Sequence, residues 1–131
     1  MSTTKEKTKH INELHFENIL WTKELEFYQD ELMVFNKRLV EVSGMYTNKD
    51  VLARLEHFQN QFILQNEVAD ILLHDLKGHE QFLADNAKES RVAIDRKSFS
   101  DHPVMRERMD TFIKLYRELR NEYMQFLSGV M

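Results

Sequence analysis

The sequence predicts an all-α fold: an antiparallel, up-down-up bundle of three long helices over about residues 10–45, 49–87 and 102–129, open to completion by dimerisation. Three observations predict it. Apolar residues recur every three then four positions along most of the 131-residue chain. Three glycines and one proline leave few places where a helix must stop. The apolar seams also fall into register when the chain is folded back on itself.

The first seam reads Ile11, Leu14, Asn18, Trp21, Leu25, Tyr28, Leu32, Phe35, Leu39, Val42, Tyr46, and only Asn18 breaks it. This is the heptad pattern of a long amphipathic, coiled-coil-like helix. A rod of roughly 55 Å follows at ~1.5 Å per residue, and it needs partners of similar length. Residues 43–50 supply a stop and a restart. Gly44 can relax the helix end, and Thr47 or Asn48 can cap the next one.

The second seam is Val51, Leu55, Phe58, Phe62, Gln65, Ala69, Leu72, Leu76, His79, Leu83. Gln65 and His79 interrupt it, and Gly78 weakens it by ~1 kcal/mol relative to alanine. After Ala87 charge mixes with isolated apolar residues, and 88–101 reads as a loop. Ser100 or Asp101 is the expected cap of the third helix, with Pro103 in its first turn. Its seam is Met105, Met109, Phe112, Tyr116, Leu119, Tyr123, Phe126, Val130.

A hairpin closing between Asn48 and Lys49 sets Leu14 against Leu83, Trp21 against Leu76, Phe35 against Phe62 and Tyr46 against Val51. A second turn centred on Ile94 adds the third seam. The expected layers are then Phe35–Phe62–Phe126, Trp21–Leu76–Phe112, Leu32–Gln65–Tyr123 and Asn18–His79–Met109. Residues 1–9 are expected to be a disordered tail, and 10–131 a single helical-bundle domain.

Composition excludes several classes. The chain has no cysteine, so disulfides, thiolate chemistry and cysteine metal ligands are out, and a reducing, cytoplasmic location fits. A net charge of −4 argues against a general nucleic-acid binder. The first nine residues lack the apolar core of a signal peptide, and no stretch approaches the ~18 apolar residues of a membrane span. No nucleophile–base pair, glycine-rich phosphate loop or His-x-x-x-His pair occurs. No catalytic residue, cofactor or metal site is therefore assigned.

What remains is two polar layers and a surplus of apolar surface. Asn18 and His79 are expected to meet in the core and hydrogen-bond, directly or through water, and Gln65 is expected to reach the Tyr123 hydroxyl. Glu17, Glu24 and Glu31 recur every seven residues beside the first seam, facing arginines on a neighbouring helix. The surplus has two parts. Leu20, Phe27, Val34, Leu64 and Ile71 lie off the seams. Val42, Met45, Tyr46, Val51 and Leu52 lie beyond the expected reach of the third helix. Such patches mark interfaces.

The expected function is a non-enzymatic helical-bundle protein that works through protein–protein contacts as scaffold, adaptor or regulator. The expected partner is a second copy or another helical protein, with no nucleic acid and no membrane. The alternative is a ligand- or metal-binding bundle of the ferritin-like or hemerythrin-like class using the Asn18–His79 layer.

Overall fold

The fold is seen in a computed structural model, which describes the backbone of residues 4–86 and 91–130 and the side chains of 12–84 and 102–130. Among the described residues there are three helices: α1 (Thr4–Ser43), α2 (Lys49–Asn86) and α3 (Arg91–Val130). They have 40, 38 and 40 residues and pack as a three-helix bundle.

Burial follows the heptads. Every described seam residue of α1 from Leu14 to Val42 is buried. So are Leu55, Phe58, Phe62, Ala69, Leu72, Leu76 and Leu83 on α2, and Met105 through Phe126 along the α3 seam. Burying one such aromatic or leucine stabilises the fold by ~1.5–3 kcal/mol, and these seams are what fix the bundle.

The α1–α2 turn is built by local hydrogen bonds. Met45 N–H donates to the Val42 carbonyl at 3.0 Å, and Ser43 Oγ donates to the Val40 carbonyl at 2.7 Å. Gly44 does not take a left-handed conformation, so its freedom is not what ends α1. Asn48 caps α2, its Oδ1 accepting from the backbone N–H of Asp50 at 2.8 Å and Val51 at 3.3 Å.

The structure makes three corrections. α1 begins at Thr4, six residues before the start expected near residue 10; residues 1–3 lie outside the described residues. Residues 91–101 are the start of α3, not a loop, and Pro103 sits well inside that helix. Neither glycine nor proline occurs from Arg91 to His102, and Ala93, Arg96 and Lys97 are good helix formers. Pro103 has no N–H for the Phe99 carbonyl and its ring crowds that carbonyl, yet the helix continues through it.

The third correction is the register of α3. The α1–α2 pairing is as expected, with Phe35 and Phe62 rings 5.9 Å apart. The residue that joins them, however, is Tyr123, at 5.4 Å from Phe35 and 4.9 Å from Phe62. Phe126 lies instead against Phe58 at 5.3 Å. Likewise Phe112 packs on Tyr28, at 6.0 Å, while His102 stacks on Trp21. α3 is slid along the bundle relative to that expectation, by about one helical turn at Phe62 and about two at His79.

Candidate functional site: a polar end layer and an apolar outer face

At one end of the bundle, α1 presents Glu17 and Asn18, α2 presents His79 and Glu80, and α3 presents His102 and Arg106. Asn18 is fully buried, and its Nδ2 donates to Glu80 Oε1 at 2.7 Å. No direct hydrogen bond joins Asn18 to His79 among the described residues. Glu80 also takes His15 Nδ1, at 2.5 Å. Asn18 Oδ1 has no hydrogen-bond partner among the described residues.

His79 is half-buried, and its ring lies 6.1 Å from that of His102. His102, only 2% exposed, takes the place expected for Met109. Its Nε2 donates to Glu17 Oε1 at 2.6 Å, and its ring stacks on Trp21 at 4.9 Å. Arg106 Nη2 donates to the same carboxylate oxygen at 2.7 Å. Burial would raise the Glu17 carboxyl, but Arg106 and His102 together hold it below the ordinary carboxylate range.

His102 was legible in principle. It lies three residues before Met105 and seven before Met109, so it continues the α3 seam. Placing it in the first turn of the expected helix, ahead of Met105 as the first seam residue, hid it.

The same edge of α1 repeats the arrangement. Glu31 Oε1 accepts from the Tyr116 hydroxyl at 2.5 Å and lies 3.6 Å from Arg120 Nη1. Glu24 Oε1 accepts from the Tyr28 hydroxyl at 2.9 Å. Burial, then the neighbouring carboxylates, raise the Tyr116 and Tyr28 hydroxyls above their ordinary range, so both stay protonated donors. The heptad of glutamates is thus a row of acceptors, two of them clasping α3.

The second polar layer does not form. Tyr123, fully buried, donates its hydroxyl to the Phe35 carbonyl at 3.1 Å, and burial raises that hydroxyl. Gln65 is half-buried, with Oε1 unpartnered among the described residues. The slide of α3 sets Tyr123 at the height of Phe62, about a turn from Gln65.

Between α2 and α3 runs a groove of about 360 Å³, bordered by His74, Asp75, Gly78, His79, Met105 and Arg108. Arg108 Nη2 donates to Asp75 Oδ2 at 2.8 Å on its wall. Among the described residues, no three His, Asp or Glu side chains are grouped to hold a metal ion, and no helix is long and apolar enough to cross a membrane.

Seven of the expected interface residues lie on the surface: Leu20, Phe27, Val34, Met45, Leu52, Leu64 and Ile71. Three do not. Val42 is 0% exposed, and Tyr46 and Val51 are half-buried against the core together with Val130. The Tyr46 hydroxyl donates to the Val130 carbonyl. The expected gap at this end is closed, because the slide carries α3 one turn further over it.

Helix phase sorts the exposed residues. Glu17 and Glu31 face α3, so Leu20, Phe27 and Val34, each three residues after a member of that row, run beside the α3-facing edge. Gln29 Nε2 donates to Asp70 Oδ1 at 2.6 Å, so the row His15, Thr22, Gln29 faces α2. Ile19, Met33 and Val40 run beside that edge. Lys23, Asp30 and Lys37 lie between the two apolar rows, on the side of α1 turned away from the bundle.

Compared with known proteins, the chain matches no protein-family model, no curated protein and no solved structure.

Proposed function

We propose that this chain is a non-enzymatic helical-bundle protein that acts through protein–protein contacts, as a scaffold, adaptor or regulator, and that it self-associates. The observation that carries this reading is the outer face of α1, where Phe27 is 58% and Val34 65% exposed although the seam on the same helix is full. The core of one chain has no room left for these residues, and water is a poor neighbour for a continuous apolar row. A cytoplasmic setting fits the absence of cysteine.

Light scattering across the micromolar range tests the reading. A mass above that of one 15.8 kDa chain is expected, falling toward the monomer for Phe27→Asp with its helical circular dichroism intact. A monomer at every concentration for the unaltered protein would end the self-association reading.

A further inference from the structure

We infer that a second copy of this chain docks antiparallel on the outer face of α1, about a two-fold axis passing between Glu26 and Phe27. The inference rests on the self-association reading above and names its surface and orientation.

Exposed apolar area is concentrated on this helix. Among the described residues, seven large exposed hydrophobic residues belong to α1, against five on α2 and three on α3. The stretch from Phe16 to Val40 is roughly 36 Å long at ~1.5 Å per residue, enough for two helices to lie side by side.

The charges on this face give the orientation. Along the α3-facing edge Glu17, Glu24 and Glu31 all have hydrogen-bond partners. On the outer face Lys23, Asp30 and Lys37 are exposed and form no ion pair among the described residues. They are arranged so that an antiparallel copy completes them. Two-fold symmetry about the stated axis sets Lys23 against Asp30 of the second copy, twice over, and Lys37 against the Phe16 ring.

The same operation keeps each apolar row against itself. Leu20 meets Val34, Phe27 meets Phe27, and Ile19 meets Met33. One like-charge contact results, Glu26 against Glu26, at the rim. Parallel pairing sets Lys23 on Lys23, Asp30 on Asp30 and Lys37 on Lys37, three repulsions with nothing to offset them. Antiparallel docking is therefore the arrangement this sequence of charges favours.

Sedimentation equilibrium with charge-altered variants tests it. Lys23→Asp and Asp30→Lys should each weaken the dimer about tenfold. The double variant Lys23→Asp/Asp30→Lys should recover most of the loss, because the swapped pair is again complementary. Glu26→Gln should tighten the dimer about twofold.

Orientation is read separately, because the chain has no cysteine of its own. An oxidised mixture of the Lys23→Cys and Asp30→Cys variants should give mainly the mixed cross-linked dimer. A predominance of self-cross-linked Lys23→Cys would overturn the antiparallel arrangement. Self-association that survives all the charge changes would overturn this surface while leaving self-association standing. A monomeric unaltered protein would overturn both.

Discussion

A double-mutant cycle on Phe62 decides where α3 sits. Phe62 meets Tyr123 edge-on, with centroids 4.9 Å apart and ring planes at 90°. The alternative register, one helical turn away, would give it Phe126 instead. Phe62→Leu keeps most of the buried volume and should cost ~1–2 kcal/mol. Tyr123→Leu should cost about as much again, plus ~1 kcal/mol for the hydrogen bond to the Phe35 carbonyl. That carbonyl sits inside α1 and keeps its helical partner, so no orphaned acceptor adds to the loss. An edge-to-face pair is worth ~0.5–1.5 kcal/mol beyond its buried area. The double variant should therefore be less destabilised than the two singles together by that amount. Phe62→Leu with Phe126→Leu should show the smaller coupling of the two cycles, since these rings meet only through Phe58. Urea unfolding followed by circular dichroism measures all five variants. A larger coupling for the Phe62–Phe126 pair would refute the observed register and restore the one that places the turn at Ile94.

Three other substitutions report on separate features. Gly78→Ala should stabilise the protein by ~0.5–1 kcal/mol, since a Cβ there meets nothing within 4 Å and the residue is mid-helix; a lower melting temperature would mean that the position carries another constraint. Asn48→Ala removes the α2 cap and should cost ~0.5–2 kcal/mol in chemical denaturation, while Asn48→Asp should be nearly neutral. Glu17 has a folded-state pKa below its unfolded one, so its contribution to stability is present above the ordinary carboxylate range and is lost as pH falls from there through the lowered value. Glu17→Gln should flatten stability over that acid window, an effect kept modest by the partial exposure of the carboxylate. An unchanged acid profile would show that the Arg106–His102 clasp is not formed in solution.

The seams were legible because burial imposes its own period. A residue such as Leu25 or Leu72 can be covered only if it recurs with the helix turn. The Phe35–Phe62 pairing was legible too, since Asn48 marks the turn chemically. The register of α3 was not. A heptad seam matches its neighbour at steps of three or four residues, so Phe126 and Tyr123 are equally good candidates for one layer. Only the position of the turn separates them, and that depended on whether residues 91–101 continue the helix. Local helix formers won over the stop suggested by Pro103. The missed His102, the unformed Gln65–Tyr123 bond and the covered Tyr46 end all follow from that one step. The glutamate row was visible as a row, but its partners Tyr116 and His102 could be named only once the register was known.

The lone tryptophan sits where the structure makes it most informative. Trp21 is buried at the polar end, its indole face against the imidazole of His102 on α3. Its fluorescence therefore reads the docking of a single pair of helix segments, whereas ellipticity reads all three rods at once. If the bundle melts as one unit, emission and ellipticity change together. If the end carrying Glu17 and His102 opens first, the indole meets water while most helix signal remains, and the two curves separate. The protein thus carries a built-in optical probe for local opening, with no label attached.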